Sequence, residues 1–523
     1  MEQRRLLLAF GLSLLVIVVY QEIVVRRYPQ SARQKAVETG KAPSPAPPGQ
    51  APIPAVPLAA GEVGAAPGDV PLVTIETDVY RIAITPTGAR LSSLALNRFR
   101  QSIGSDSPPL DLVHPGVVLP ATVTLGSDAN DARVAYQPDR EGLVLHGSDR
   151  GAVIFTGQDA AGAPIEKRYD FVGDGYTFDV TVTSGDRGPA GLLLTPIPTD
   201  RADARGAAAH GAGVALSEHK LLEKPLTDIE KGAIDLKSPS WVGFESQYFL
   251  SVAVPKNGST SGLLETIEDV PTARVEQAFA DRKATFVVYA GPKDRDELSK
   301  VGYDLDRALD FGWFWFIAVP LLQALRMLQR VTGNWGVAII ALTALTKLVT
   351  TPLTQTTFRN MREMQKIQPQ MAKIRERYKD DQVALQKEMM ELYRRHRVNP
   401  FSGCLPMVFQ LPIFVGLYNA LSHAIELRHA PFILWINDLS APDRLMILGF
   451  GIPVLTLLMG VSMLVQQWIS PQQGDPTQQR MMMIMPVVFT FMFINFPSGL
   501  VLYWLVNNVL TIGQQYMMLR SSS

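Results

Sequence analysis

The chain has 523 residues, enough for two or more domains, with 47% hydrophobic and 19% charged residues and a mean hydropathy just above zero. That balance suits a protein with one water-soluble part and one membrane part. The formal net charge is zero, so only the distribution of charge bears on partners, and the single cysteine, Cys404, excludes an intramolecular disulfide framework or a CxxC-type zinc or redox motif.

The chain opens with Arg4 and Arg5 before an apolar run from Leu6 to Tyr20. The run resembles a signal peptide, but Tyr20, Gln21 and Glu22 follow it where a small-residue cleavage site would stand. Apolar character resumes through Val25, which predicts an uncleaved membrane anchor over residues 1–27 with its arginines in the cytoplasm. Residues 28–71 follow as a linker, rich in Pro, Ala and Gly from Pro43 to Pro71, which cannot bury a core. From Leu72 to Gly291, runs such as "VYRIAITPTGARLSSLAL" and "RKATFVVYAG" alternate apolar and polar residues between Gly, Asp and Pro punctuation. This predicts a large all-β sandwich over 72–292 on the far side of the membrane from the amino terminus.

Residues 293–334 turn helical. Trp313 and Trp315 near the start of the apolar run, with Arg326 and Arg330 near its end, predict an amphipathic helix in the plane of the interface rather than a further span. Residues 335–520 then read as five spans: Trp335–Thr356, Cys404–Leu421, Leu445–Val465, Met481–Phe496 and Leu500–Met518. With the anchor this makes a six-span α-helical bundle, and both termini share one side. The loop Thr357–Pro400 holds 11 Lys/Arg against 6 Asp/Glu, whereas Ser422–Arg444 holds two arginines and three acids. The first loop therefore faces the cytoplasm, as Arg4 and Arg5 do, and the β-domain falls in the periplasm.

Within 357–399, apolar residues at Phe358, Met361, Met364, Ile367, Met371, Ile374 and Tyr378 recur at steps of three and four, and Leu385, Met389 and Leu392 resume the stripe after "KDD". The pattern predicts a cytoplasmic helical hairpin. Its cations, among them Arg359, Arg362, Lys366, Arg394, Arg395 and Arg397, either set topology or form a docking arm for something acidic, such as ribosomal RNA or anionic headgroups.

Lys347 lies within the first of the five spans, where a charge costs about 3 kcal/mol. Thr343 and Thr350, at i−4 and i+3, share its face, and other spans contribute Gln410, Asn419, Gln466, Asn495, Asn507 and Asn508. Polar groups without acidic partners point to a water-filled cavity rather than a proton relay. The bland alternative is a lysine that bends to the inner headgroups. Pro352 cannot donate to the carbonyl of Leu348 and loosens the helix at the cytoplasmic edge. No metal-ligand spacing, nucleotide loop or nucleophile elbow is present, so the residues support no enzymatic site, metal or cofactor.

Four motifs carry a resemblance over essentially the whole chain: "GNWGVAII" (Gly333–Ile340), "VNPFSGCLPMVFQLPIF" (Val398–Phe414), "PFILWINDLSAPD" (Pro431–Asp443) and "MPVVFTFMFINFPSGLVLYWLVNN" (Met485–Asn508). The chain resembles the YidC family of bacterial membrane protein insertases, in its Gram-negative inner-membrane form. The resemblance implies a periplasmic β-supersandwich and a hydrophilic groove in the inner leaflet, with its central cation at Lys347, where many members have arginine. It also implies a substrate-contact region at Tyr503 and Trp504 and a cytoplasmic helical pair at Phe358–Arg397. Implied partners are nascent membrane proteins, Sec translocon components, the ribosome and signal recognition machinery, and membrane lipids, with no small-molecule substrate. Two other classes compete: a small-solute transporter using the polar cavity, and a periplasmic sugar-binding module on an anchor. The first lacks the inverted repeats usual in transporters, and the second leaves five spans without a purpose.

Overall fold

A computed structural model describes residues 71–104, 106–126, 129–159, 162–185, 188–198, 211–396, 398, 405–469 and 476–520. The expected anchor, the linker up to residue 70, Arg397 and Cys404 lie outside the described residues. The chain divides into two compact units, Met1–Ala308 and Leu309–Ser523.

The first unit is built from sheets whose strands pair antiparallel, apart from the parallel pair Val73–Glu76 with Gly142–Val144, and the alternating pattern predicts such strands. A nine-stranded sheet runs in the order Lys220–Pro225, Ala212–Ser217, Trp241–Glu245, Phe249–Pro255, Lys283–Pro292, Thr177–Thr183, Pro164–Val172, Arg150–Gln158 and Gln137–Pro138. A six-stranded sheet contains Ala190–Leu194 and Thr122–Leu125, and a five-stranded sheet is built on Tyr80–Thr85 and Arg90–Arg100. Thr177–Thr183 alternates buried and half-buried positions, so one of its faces meets the core. By contrast, every residue of Trp241–Glu245 and Ala190–Leu194 is buried, as in strands covered on both faces.

One charge sits inside this core. Lys167 is fully buried, and its Nζ lies 2.5 Å from Asp131 Oδ2 and donates to the carbonyls of Gly88 (2.8 Å) and Ala121 (2.9 Å). Asp131 also accepts from the Val123 N–H at 2.8 Å and the Tyr136 hydroxyl at 3.1 Å. Burial pulls the ammonium pKa below its usual value, against the opposing attraction of Asp131. The cluster joins segments far apart in sequence, which periodicity could not reveal.

The β-unit extends past the expected limit at residue 292. Lys293 pairs with Glu245 at 2.7 Å, and the short helix α1 (Arg295–Val301), capped by Asp294 through the N–H groups of Asp296 and Glu297, remains within the unit that closes at Ala308.

The second unit is helical: α2 (Trp315–Thr332), α3 (Trp335–Arg377), α4 (Gln382–Arg395), α5 (Leu405–His423), α6 (Val454–Ile469), α7 (Pro476–Phe493) and α8 (Ser498–Arg520). In α2, Ala318, Leu322 and Leu325 are buried on one face, and Phe316, Met327 and Val331 are exposed on the other, while Trp315 is exposed at the amino end of the helix. Arg326 forms an ion pair with Glu426 at 2.6 Å, while Arg330 is exposed.

Three expected boundaries change. First, the span ending at Thr356 and the first arm of the hairpin are one helix of 43 residues, about 64 Å long. It continues through Pro352 and Pro369, and the hydroxyls of Thr351 and Thr356 donate to the carbonyls of Lys347 (2.7 Å) and Pro352 (3.0 Å) around the missing donor. Secondly, the expected span Leu445–Val465 begins as a β-hairpin, Leu445–Ile447 paired with Phe450–Ile452, and becomes helical only at Val454. Leu448 and Gly449 both have positive φ (50° and 84°), which makes a two-residue type I′-like turn and forbids a helix there. Thirdly, α7 begins at Pro476, ahead of the expected Met481, and the side chains of its first turns lie outside the described set. By length and composition, the Trp335–Pro352 part of α3 is the one described helical segment long and apolar enough to cross a bilayer; Val454–Ile469 and Met482–Phe493 are shorter apolar helices.

Beyond the span, the apolar stripe of α3 meets α4. Met364, Ile367, Met371, Leu392 and Val398 form a small buried cluster, flanked by Ile374, Met389 and Tyr393. The three-and-four spacing predicted this seam between the two helices.

Candidate functional site

The amino end of α3 is set by the motif around Gly333. That glycine closes α2 in the left-handed region (φ 69°), and Asn334 then caps α3, its Oδ1 accepting from the N–H groups of Gly336 (2.8 Å) and Val337 (3.1 Å). The Asn334 Nδ2 donates to the Phe432 carbonyl at 3.2 Å. A Cβ on Gly336 would stand 2.0 Å from the Phe432 ring, so only glycine admits that close approach. Two motifs distant in sequence, "GNWG" and "PF", are therefore one joint.

The loop after α5 has its own lock. Buried Asp438 accepts from the His429 N–H (3.1 Å) and from the N–H and hydroxyl of Ser440 (2.8 and 2.6 Å). Buried Asp443 accepts from the Trp435 indole at 2.6 Å and from the backbone N–H groups of Leu455 and Thr456. Pro453 has no side chain able to cap α6, so a carboxylate from outside the helix satisfies its first free donors.

With α3 and α8 held in place, Lys347 meets α8. Its Nζ donates to Thr511 Oγ1 at 2.7 Å and to Asn507 Oδ1 at 3.3 Å, both neutral partners. One turn further along each helix, Gln514 Nε2 donates to Thr351 Oγ1 at 2.8 Å. Further still, the Arg362 guanidinium donates to the Met518 carbonyl. These contacts form a polar ladder along the α3–α8 seam, from Lys347 toward the α3–α4 helical pair. Tyr503, Asn507 and Thr511 lie at steps of four on one face of α8. Asn508 points elsewhere, to Ser462 on α6 at 2.9 Å.

The other sequence candidates separate. Thr343 is fully buried and donates to the Ile339 carbonyl at 2.6 Å, and Thr350 donates to the Thr346 carbonyl at 3.0 Å. Their hydroxyls are satisfied by backbone carbonyls about one turn back, which for Thr350 include that of Lys347 at 3.2 Å, and not by one another or by the Lys347 ammonium. Gln410 Nε2 donates to the Tyr503 hydroxyl at 2.7 Å, and Tyr503 is only 2% exposed. Trp504 is half-buried, with ring centroids of Phe414, Phe493 and Phe489 at 4.8, 5.1 and 6.0 Å. Asn419 belongs to neither group, since its Nδ2 donates to the Phe311 carbonyl at 2.7 Å.

On the helical pair, Arg359 and Arg394 are exposed, Lys366 pairs with Glu363 at 2.7 Å, and Arg395 pairs with Glu391. Thr351, Thr511 and Gln514 escaped the sequence reading, although Thr511 and Gln514 stand four and seven residues after Asn507, the spacing that identifies one helical face. Among the described residues, no group of His, Cys, Asp and Glu could hold a metal ion.

Comparisons with known proteins agree on one family. Residues 72–324 match the YidC periplasmic domain and residues 327–523 match the 60Kd inner membrane protein family. The membrane protein insertase YidC of Geobacter sulfurreducens is 38% identical over 472 residues, covering 86% of each chain. That of Pelobacter propionicus is 38% identical over 557 residues, covering 98% of each chain, and that of Geobacter metallireducens is 36% identical over 545, covering 98% of this chain and 97% of its own. With two consecutive family domains and relatives aligned nearly end to end, the chain belongs to the YidC family of membrane protein insertases.

Proposed function

We propose that this chain inserts newly made membrane proteins into the bacterial inner membrane and assists their folding, with the α3–α8 seam as its polar route. The observation that carries this reading is Lys347 bonded to Thr511 and Asn507 inside an apolar span, with two further polar contacts leading toward the helical pair. A cation held by neutral hydroxyl and amide groups keeps its field for a passing ligand, unlike one neutralised by a carboxylate. Water and these side chains would hydrate the polar tail of a substrate while its apolar segment enters lipid. A span of about 20 apolar residues supplies the driving force, so no nucleotide is needed.

The charge pattern supports the orientation. Six spans would place both termini and the α3–α4 helical pair in the cytoplasm and the β-unit in the periplasm. In this arrangement exposed Arg359 and Arg394 face ribosomes, signal recognition machinery or anionic lipid, and the protein works alone or beside the Sec translocon.

Photocrosslinking to a stalled nascent membrane protein tests the route. A photoreactive residue at 347 should give strong adducts. Positions 343 and 503, whose side chains are buried, should give weaker ones. Absence of nascent-chain adducts at all three positions would exclude the groove.

A further inference from the structure

We infer that the Leu445–Ile452 hairpin is a lipid-binding element whose apolar tip rests in the periplasmic leaflet at the boundary between headgroups and acyl chains. The inference rests on the six-span reading, which puts this loop on the periplasmic side.

The tip is chemically unusual. A type I′ turn favours Asn, Asp or Gly at its first central position, because φ is positive there. Here leucine occupies it at φ 50° and is 94% exposed. Phe450 is 75% and Met446 66% exposed on either side. A hairpin standing in water gains nothing by carrying these side chains in a conformation that leucine disfavours, whereas one lying on lipid does.

The adjoining helix supplies the second observation. At 16 residues α6 is about 24 Å long, short of the roughly 30 Å of a hydrocarbon core. Its outward face, including Leu457, Leu458, Val461, Leu464 and Val465, is exposed, and no charged residue occurs from Leu445 to Ile469. Trp468, 83% exposed, marks the interface at the far end, which leaves the shortfall at the hairpin end. The apolar surface continues through Ile452 and Pro453 into the hairpin without a polar gap. The hairpin completes the span.

Depth follows from hydrogen bonding. Two strands of three residues leave both outer edges unpaired, and such edges do not occur bare in hydrocarbon. The backbone therefore stays among headgroups and water while the side chains dip inward. Arg444, the residue before the hairpin, ties its base to the chain just after α7, donating to the Ile494 carbonyl at 2.9 Å and to Asn495 Oδ1 at 3.2 Å.

The test uses the full chain with Cys404→Ser, reconstituted in phosphatidylethanolamine–phosphatidylglycerol vesicles. An environment-sensitive fluorophore is attached at Leu448→Cys or, as a depth control, at Leu457→Cys. Nitroxide lipids labelled near the headgroup should quench the probe at 448 several-fold more than aqueous iodide does, and lipids labelled deep in the chain should quench the probe at 457. A probe at 448 that is open to iodide while 457 is quenched deeply would overturn the hairpin assignment and leave the six-span reading intact. Emission at 448 that changes with protein-to-lipid ratio would overturn it in favour of contact with a second copy. If 457 also escapes lipid quenchers, the six-span reading falls and the hairpin assignment falls with it.

Discussion

Lys347→Met removes one ammonium from the α3–α8 seam and keeps an unbranched side chain of similar length. The lost contacts are one charge-assisted bond of good length, 2.7 Å to Thr511, and a long one of 3.3 Å to Asn507. Together they are worth about 2–4 kcal/mol. The Thr511 hydroxyl keeps its own bond to the Asn507 carbonyl at 2.6 Å, so it is not orphaned. Removing a charge from a span returns about 3 kcal/mol, which offsets most of the loss. The variant should therefore melt within a few degrees of the parent. Its insertion activity should not be spared. A substrate carboxylate about 6 Å from the ammonium gains about 1–3 kcal/mol at an effective dielectric of about 20–40. Losing it slows insertion roughly tenfold to a hundredfold. Two reporters differing only by Asp or Asn in the translocated tail, scored by protease protection in proteoliposomes, separate the effects. The Asp reporter should slow in Lys347→Met, slow further in Lys347→Glu and hold in Lys347→Arg, while the Asn reporter barely moves. Equal insertion of both reporters by a stably folded Lys347→Met would refute the reasoning and leave the lysine as a group that merely reaches for the headgroups.

Two predictions concern the β-unit. Lys167→Met strands the buried Asp131 carboxylate with only the Val123 N–H and the Tyr136 hydroxyl. The cost of about 3–5 kcal/mol should speed hydrogen exchange around Ala121–Leu125 and Asp131–Tyr136 by about two to four powers of ten, and adding Asp131→Asn should restore most of the protection. Unchanged exchange would show that the pair is dispensable. The second concerns exposed His146, 2.8 Å from Asp78, which also accepts from the Gly147 N–H at 2.7 Å. The Asp78 hydrogen bond holds the imidazole pKa above its usual 6.5, and the His146 bond holds the carboxyl below 3.8. The histidine contribution is complete below 6.5 and is lost as pH rises through the raised value; the aspartate contribution is lost only as pH falls through the lowered one. Exchange in Leu145–Arg150, corrected for intrinsic rate, should therefore be better protected at about pH 5 than at about pH 8.5.

Much of this architecture was legible in one dimension because its causes are local. Strand alternation in 72–292, the stripe that joins α3 to α4, and an uncompensated lysine in an apolar run each follow from spacing along the chain. The five-span outline erred where backbone conformation overrode hydropathy. Leu445–Val465 contains no charge, so composition cannot tell a helix from a hairpin that turns on Leu448 and Gly449. The span expected to end at Thr356 runs on into the first arm of the helical pair as one 43-residue helix, with Pro352 and Pro369 inside it.

What only the tertiary structure decided is pairing at a distance. Lys347 finds Thr511 across 164 positions, Asn334 finds Phe432 across 98, and Lys167 finds Asp131 within a core that draws on several strands. Periodicity reports which face of an element is apolar, not which polar atoms will meet when two faces close. Thr343 and Thr350 show the same limit in reverse. Their spacing put them beside Lys347, but a threonine in a helix can satisfy its hydroxyl on the carbonyl one turn back, and here both do.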